Sequence, residues 1–396
     1  MAVENMGEIV PFGDMVEKIY VLKYNETVSV LLLISYRRNS NVSVKFVTKE
    51  RTCMKVSIAM ATYNGENYIK EQLDSLKNQT YPVDEVIICD DQSKDSTVSI
   101  VREYIETNRL THWNIEVNRE NKGFIGNFFG AIENTTGDVI FMCDQDDVWK
   151  ADKVQEMVDY LQAHPKVEAL NTAVILIDEK GEPISVKKKR GYCNANILHK
   201  VVKEKEAEDI DFSFLVRGNI SPGCTMCITK SLKEKILPFK ELCVRHKFPH
   251  DWFFNLVASL DHQVVFYNRP LTGYRMHENN TIGLEEEEEG SPVTMKSTRE
   301  MRQEIGEFHV KRAELIAHNL TLDLEQKRYM DGYLQFTSIR YAFLQDFSIS
   351  KWFRVLRCGI IYIQSIGWKG VLSDFLYACK LDRIIRKQSE KKGNGT

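Results

Sequence analysis

The sequence predicts an α/β fold in which a mostly parallel sheet with flanking helices is followed by a C-terminal helical region. From Lys55 onward, short apolar runs alternate with segments of helical periodicity, which is the order that a parallel sheet requires. From about Thr294 the periodicity is helical, without strand patterns. The chain has 396 residues, 43% of them hydrophobic, so it can bury a substantial core.

The predicted elements follow one another in strict alternation. The strand KVSIAMA precedes a helix with Ile69, Leu73 and Leu76 on one face, and EVIICD is the next strand. The alternation continues with helix DSTVSIVREYIE, strand WNIEV, helix FIGNFFGAIENT and strand DVIFMCD. Right-handed crossovers place the carboxyl ends of parallel strands at one edge, so this Rossmann-like sheet should bring TYNG, DDQS and DQDD together.

Beyond Asp152 the pattern predicts further elements and three regions. A helix to about Ala163 is followed by the apolar run VEALNTAVILID, the loop and strand GNISPGCTMCITK, the helix PHDWFFNLVASL, and two strands, QVVFYN and LTGYRMH. The run of five glutamates predicts a solvated boundary. We therefore divide the chain into an N-terminal extension at 1–53, an α/β domain at 54–284, and an acidic linker with a helical region at 285–396. One hypothesis is that translation starts near Met54.

Composition indicates which partners, compartment and metal sites to expect. The formal net charge of −3 gives no global reason to expect nucleic acid as a partner. Nine cysteines, mostly inside apolar runs, favour a reducing, cytoplasmic environment. Cys224 and Cys227 form a lone CxxC without a second pair, so we assign them no metal. The apolar stretch 28–34 is too short to span a bilayer, and no leader with a cleavage site precedes it.

The C-terminal segment from Lys351 to Lys392 has many more basic than acidic residues, interleaved with aromatic side chains. This composition suits contact with an anionic membrane surface. The alternative is that the aromatic residues pack the last helices onto the rest of the protein while the basic residues stay in solvent.

Asp144, Gln145, Asp146 and Asp147 follow an apolar strand, which places three carboxylates at its exposed end. Crowded carboxylates suit a hard divalent cation. An acidic helix N-terminus that favours the macrodipole would explain one of these acids but not three.

Other strand ends and one helix start carry further candidate site residues. Thr62, Tyr63 and Asn64 end the first strand with small polar groups and an aromatic face, which suits a nucleotide, although an ordinary N-capped turn has the same composition. Asp90 and Asp91 end the second strand, and paired carboxylates at a sheet edge can accept hydrogen bonds from a base or a ribose. Asp251 begins a predicted helix, where an acid in the first turn supports the helix dipole.

The motifs VSIAMATYNG, VIICDDQSKDST, NKGFIGN and GDVIFMCDQDDVW, in this order and spacing, resemble those of family 2 glycosyltransferases with the GT-A fold. The resemblance is strongest to rhamnosyltransferase-like bacterial members, and it covers about Lys55 to Ile282. Gln145 at the middle of the DXD motif and the N-terminal extension depart from the common pattern. Gln145 leaves the donor sugar open, because the middle position lies close to the transferred group.

The resemblance implies a role for each matching residue. Asp251 is the implied catalytic base. Mg²⁺ or Mn²⁺ is the implied cofactor, with Asp146, Asp144 and His277 as its ligands. The residues implied to bind the nucleotide sugar are Thr62, Tyr63, Asn64, Asp91, Asn121, Lys122, Gly123, Asp144, Gln145 and Arg275.

The implied function is that of an inverting, metal-dependent hexosyltransferase in cell-surface polysaccharide synthesis. It would move rhamnose or another hexose from a nucleotide diphosphate sugar to a glycan or lipid-linked acceptor, in the cytoplasm or at the inner face of the cell membrane. One alternative is a noncatalytic nucleotide-sugar-binding or scaffold protein that retains the fold. Another is a nucleotidyltransferase, which should have a Gly-rich phosphate loop after the first strand; TYNGE is a poor match to one.

Overall fold

The structure, a computed structural model, describes residues 53–185, 191–194, 197–277 and 299–381, together with the backbone of the strands between residues 2 and 50. It divides into two compact units, Met1–Lys55 and Val56–Thr396. The predicted glutamate-rich boundary, Glu285–Glu289, lies outside the described residues.

The first unit is an antiparallel sheet. Its five strands are β1 (Ala2–Glu4), β2 (Val10–Phe12), β3 (Met15–Lys23), β4 (Val28–Arg37) and β5 (Ser40–Glu50). β4 pairs with β3 on one side and β5 on the other, while β1 and β2 share the remaining edge of β3. The apolar stretch 28–34 is therefore part of a strand. β4 and β5 each contain several β-branched residues, which strands favour.

The second unit begins with a nine-stranded sheet. Its strands are β6 (Val56–Thr62), β7 (Glu85–Asp90), β8 (Trp113–Val117), β9 (Val139–Asp144), β10 (Val148–Trp149), β11 (Ala169–Ile177), β12 (Ala207–Asp209), β13 (Met226–Thr229) and β14 (Val264–Arg275). The strand order is β10-β14-β11-β13-β9-β6-β7-β8, with β12 also on β14. β9, β6, β7 and β8 run parallel, and β13 is antiparallel to both of its neighbours.

Helices flank the sheet and form the C-terminal region. They are α1 (Ile69–Lys77), α2 (Thr97–Thr107), α3 (Gly123–Glu133), α4 (Lys153–Ala163), α5 (Phe212–Arg217), α6 (Lys230–Ile236), α7 (Lys240–Arg245), α8 (His250–Ser259), α9 (Arg299–Asn319), α10 (Leu324–Asp346), α11 (Ile349–Leu356) and α12 (Ile360–Ala378). The predicted fold class, a mostly parallel α/β sheet with flanking helices and a C-terminal helical region, is confirmed.

The register of the central strands determines where the polar motifs lie. Thr62 pairs with Asp90, and Ala61 pairs with Asp144, so β6, β7 and β9 end at the same level. The residues of β6 up to Met60 are fully buried, which fixes the strand between two helical layers. The three motifs therefore meet at one sheet edge, as the sequence predicts.

The prediction of two separate strands at residues 263–277 is wrong, because β14 is continuous through Pro270. Proline lacks the N–H that a strand ladder uses. The register between β11 and β14 shifts around the pair Ala173 and Pro270, and this irregularity accommodates the proline without ending the strand.

The C-terminal helices pack together around a buried carboxylate. Asp374 on α12 is fully buried and accepts hydrogen bonds from Arg302 of α9, Arg340 of α10 and Tyr362 of α12. Tyr329 of α10 donates to the main-chain carbonyl of Ser213 in α5, which connects this region to the α/β domain. Among the helices in the described part of the chain, none is long and apolar enough to cross a bilayer.

Candidate active site

A cavity of about 680 Å³ opens at the carboxyl ends of β6 and β9. It is bounded by the loops that follow these strands, the first turns of α3 and α8, and the end of β14. The predicted site residues that line it are Thr62, Tyr63, Asn64, Asp91, Asn121, Gly123, Asp144, Gln145, Asp146, Asp251 and His277. Lys122 and Arg275 are not among its lining residues.

Asp90 ties the ends of β6 and β7 together. Its buried carboxylate accepts hydrogen bonds from Thr62 Oγ1 at 2.8 Å, Ser93 N at 2.8 Å and Ser93 Oγ at 2.6 Å. The Asp90 carboxylate is thus occupied by hydrogen bonds within the protein. Asp91, and not Asp90, lines the cavity.

Asp91 also shapes the loop before α3. Its Oδ1 accepts from Asn118 Nδ2 at 2.9 Å and from Lys122 N at 2.8 Å. Lys122 therefore contributes its main chain to this contact, and Asn121 Nδ2 donates to the Asp91 carbonyl at 3.0 Å. Gly123 has φ of +70°, a conformation that favours glycine, and it exposes the start of α3 to the cavity.

Gln145 holds the loop after β9 against the loop after β6. Its Oε1 accepts from Tyr63 N at 2.8 Å, and its Nε2 donates to Tyr63 O at 2.9 Å. Gly65 makes room for this contact, since a Cβ there would lie 2.3 Å from Gln145 Oε1. The Gln145 amide, which the sequence assigned to the nucleotide sugar, is thus bonded to the main chain.

The acidic side chains after β9 belong to two adjacent clusters of potential metal ligands. Asp144, Asp147 and the thiol of Cys224 have ligand atoms within 4.8 Å of one another. Asp146 Oδ2 lies 2.9 Å from His277 Nε2. The structure therefore brings the predicted pair Asp146 and His277 together and places Asp144 beside Asp147.

Burial and mutual repulsion raise the pKa of both Asp144 and Asp147. Asp147 is nearly inaccessible and accepts a hydrogen bond from Arg275 N, while its Oδ2 has no hydrogen-bond partner among the described residues. Burial also raises the pKa of the Cys224 thiol well above its usual range. A protonated thiol is a poor ligand for a hard cation, so the carboxylates are the better ligands here.

A buried cation, Lys153, lies beneath this acidic group. Its Nζ donates to Cys224 O at 2.5 Å and to Thr272 Oγ1 at 2.9 Å, and it sits 3.6 Å from the centre of the Trp149 ring. Burial lowers the pKa of Lys153 to about 8. The sequence analysis missed this residue, because a lysine in the first turn of an amphipathic helix ordinarily faces solvent.

Arg275, predicted to bind diphosphate, instead supports the loops around the acids. The side chain is fully buried; Nε donates to Asp146 O at 2.7 Å, and Nη1 donates to Asp178 O at 3.0 Å. Nη2 forms an ion pair with Glu71. The structure therefore directs the guanidinium into protein contacts, away from the cavity.

Asp251 lies in the first turn of α8 and faces the cavity. Its Oδ2 accepts from Asn219 Nδ2 at 2.9 Å, which fixes the carboxylate from the opposite loop. Asn219 also lines the cavity and was missed by the sequence analysis. Ser221, two residues after Asn219, is fully buried and donates to Asn171 Oδ1.

The sheet edge, the acidic loop and the facing carboxylate together define an α/β protein with a polar cavity at the carboxyl ends of its strands. Residues 57–222 match the sequence model described as Glycosyl transferase family 2. This segment belongs to that family of transferases, and the resemblance stated from the motifs is confirmed.

Three known proteins illustrate the similarity. The dTDP-rhamnosyl transferase RfbG of Shigella flexneri is 29% identical over 235 residues, which is 57% of this chain and 73% of that protein. A crystal structure of S. aureus TarS 1-349 with UDP has 16% identity and a TM-score of 0.46, covering 86% of this chain and 92% of the other. The mannosyltransferase PcManGT of Pyrobaculum calidifontis, solved with GDP-Man and Mn²⁺, has 17% identity and a TM-score of 0.45, covering 82% and 86%.

The contact between Gln145 and Tyr63 leads to a double-mutant prediction. Gly65→Ala should displace the Gln145 amide and lower the free energy of unfolding by about 1–2 kcal/mol, because two main-chain hydrogen bonds are lost. In a Gln145→Ala background the same change should cost close to nothing. Urea unfolding of the four proteins measures both values.

Gly218→Ala is the control, since this glycine has extended backbone and no described atom within 4 Å of the added methyl group. Equal costs of Gly65→Ala in the two backgrounds would show that the glycine is needed for another reason.

Proposed function

We propose that this protein is an inverting, metal-dependent hexosyltransferase that uses a nucleotide diphosphate sugar and a glycan or lipid-linked acceptor. The observation that supports this most directly is that Asp144, Asp146 and Asp251 line one cavity at the carboxyl edge of the sheet. Catalysis is assigned to residues 54–284, and residues 285–396 are assigned a supporting role at the membrane.

The donor occupies the side of the cavity formed by the loops after β6 and β7. The Tyr63 ring is 47% exposed and offers a stacking face for a base. Asp91 has one oxygen engaged by Asn118 and Lys122, and its second oxygen can accept from a base or ribose group. Thr62 and Asn121 hold the main chain around this position.

The residues present fit a divalent cation. Asp146 and Asp144 supply the oxygen ligands that Mg²⁺ and Mn²⁺ prefer, and His277 adds a nitrogen ligand suited to Mn²⁺. Burial, and then repulsion from the neighbouring acids, raise the pKa of Asp144, and a cation would relieve that repulsion. When bound, the cation would neutralise the charge that develops on the diphosphate as it leaves.

Asp251 acts as the base. As the acceptor hydroxyl oxygen attacks the anomeric carbon, its proton passes to a carboxylate oxygen of Asp251 and the bond to the diphosphate breaks. Asn219 orients that carboxylate through its 2.9 Å hydrogen bond. Attack from the side opposite the leaving diphosphate inverts the anomeric configuration, and a single carboxylate suffices because the diphosphate needs no acid.

The donor sugar is proposed from the relative in Shigella flexneri, whose name specifies dTDP-rhamnose chemistry. Rhamnose is thus the first donor sugar to test, and other hexoses are the alternatives. A noncatalytic nucleotide-sugar-binding or scaffold protein remains the alternative function, and it would bind the nucleotide without turnover.

The proposal is tested by measuring the release of nucleoside diphosphate from a panel of dTDP-, UDP- and GDP-sugars. The assay contains Mn²⁺ and a bacterial lipid extract as the source of acceptor. We expect release from one donor class in the wild type. Asp251→Asn should reduce the rate at least about 100-fold, because the general base is lost. Asp146→Ala should abolish the dependence on Mn²⁺ together with most of the rate.

The matched control is Asp152→Ala, which removes a half-buried acid six residues after Asp146, outside the cavity, and should leave the rate unchanged. Binding of a nucleotide sugar with no release from any donor would contradict the transferase and support the noncatalytic alternative.

We also propose that α11 and α12 contact an anionic membrane surface. Phe353 is 56% exposed and Trp368 is 71% exposed, so these rings are available to a lipid interface. Arg354 on α11 and Arg357, the residue directly after this helix, are both exposed. Trp352 and Tyr377 are buried, which shows that part of the aromatic set packs the helices and the rest faces outward.

Charge reversal tests the membrane contact better than truncation, because removing α12 would leave Arg302 and Arg340 without Asp374. Arg354→Glu with Arg357→Glu should reduce cosedimentation with phosphatidylglycerol vesicles at least about tenfold, since each basic residue contributes about 1 kcal/mol near such a surface. Lys327→Glu with Arg328→Glu, the same charge change on exposed positions of α10, is the control. Equal binding by both double variants would refute the proposed surface.

A further inference from the structure

We propose that His250 binds a hydroxyl group of the acceptor, and that the acceptor presents a sugar ring to the aromatic wall formed by Phe124 and Phe128. This inference rests on the proposed transferase function and names the chemistry of its second substrate. It assigns a function to a residue that the proposed mechanism does not use.

The two ring nitrogens of His250 are the starting observation. The residue is 5% exposed, and neither Nδ1 nor Nε2 has a hydrogen-bond partner among the residues that the structure describes. Buried polar atoms in native proteins nearly always have partners, and one without a partner is destabilising. His250 lines the cavity, so a bound ligand can supply the missing partner.

The packing of the ring explains its burial but leaves both nitrogens without partners. The imidazole stacks on Phe128 with 4.0 Å between ring centres, and it meets Phe124 and Phe254 edge to face at 6.3 Å and 5.7 Å. These contacts occupy the faces of the ring with apolar carbon. Both nitrogens are enclosed by the surrounding protein and have no hydrogen-bond partner among the described residues.

Gly223 preserves the space next to the ring. A Cβ at this position would lie 2.7 Å from His250 Nε2, closer than real atoms approach. Gly223 also lines the cavity. An alanine here would push against the nitrogen, so glycine leaves room for the imidazole ring beside the loop.

The chemistry of the ring selects the ligand. Burial lowers the pKa of His250, so the imidazole is neutral, with one N–H donor and one lone pair. A hydroxyl group is both a donor and an acceptor and can satisfy either nitrogen. A purely apolar ligand would leave both nitrogens without a hydrogen bond. An anionic ligand would find no positive charge on this neutral ring.

The neighbours of His250 extend the choice from a hydroxyl to a sugar. Phe124 is 40% exposed at the cavity wall, which offers a flat apolar face, and a pyranose presents an apolar C–H face together with several hydroxyls. His250 immediately precedes Asp251, the proposed base, on the first turn of α8. A hydroxyl bound at His250 therefore belongs to the molecule whose other hydroxyl Asp251 deprotonates, namely the acceptor.

The inference is tested by steady-state kinetics with the donor found for the wild type. The acceptor probes are the methyl glycosides of rhamnose, glucose, galactose, mannose and N-acetylglucosamine. His250→Phe keeps an aromatic ring against Phe128 but removes both nitrogens. We expect the KM for the effective glycoside to rise at least about tenfold, and the KM for the donor to change less than twofold. His250→Asn should recover part of the loss, because its amide can again bond a hydroxyl.

Gly223→Ala provides a second variant that leaves the histidine in place. It should raise the KM for the glycoside in the same way, by crowding Nε2. A parallel rise in the KM of donor and glycoside in either variant would show a structural role and overturn the inference.

Binding measured without turnover separates this inference from the proposed function. In protein labelled with ¹⁵N-histidine, the ring signals of His250, assigned by their loss in His250→Phe, should shift when the glycoside is added. Such a shift in a protein that never releases nucleoside diphosphate would support the acceptor site while contradicting the transferase. Unmoved His250 signals at a saturating glycoside concentration would overturn the site itself.

Discussion

The crowding of carboxylates at the end of β9 is the constraint on which the site depends. Asp144, Asp146 and Asp147 lie within four consecutive residues, and the first two line the same cavity as Asp251. Burial and repulsion raise the pKa of the first and third of these acids. The positive charge of the fully buried Lys153 offsets part of the negative charge of these acids. The remainder opens to the cavity, where a divalent cation and a diphosphate can balance each other.

The polar residues at the strand ends mainly hold one another in place. Asp90 binds the loop of Ser93, Asp91 binds the loop before α3, and Gln145 binds the main chain of Tyr63. Most of the hydrogen-bonding capacity of these side chains is therefore used before any ligand arrives. A site whose loops are fixed in this way is organised in advance for the charge and shape of its substrate. Few groups, chiefly the acids and the exposed tyrosine ring, remain for the ligand.

Sequence reasoning succeeded for the sheet and its edge because apolar runs fix strands, and strand order fixes which loops meet. It was less successful with side chains, since spacing does not reveal where a side chain points. Arg275 and Gln145 lie near the predicted position but bind main chain. Lys153 and Asn219 carry no sequence pattern that distinguishes them from surface residues. The antiparallel sheet of residues 2–50 was likewise missed, because the search followed the alternation of strands with helices.

The most direct test of the central claim is the affinity of the protein for Mn²⁺ with and without a nucleoside diphosphate, measured by electron paramagnetic resonance for UDP, dTDP and GDP in turn. We predict weak binding of Mn²⁺ alone and binding at least about tenfold tighter with one of the three nucleotides, because each ligand supplies the charge that the other needs. By the same linkage, Mn²⁺ should strengthen binding of that nucleotide equally. Nucleotide binding of the same strength in EDTA and in Mn²⁺ would contradict the account.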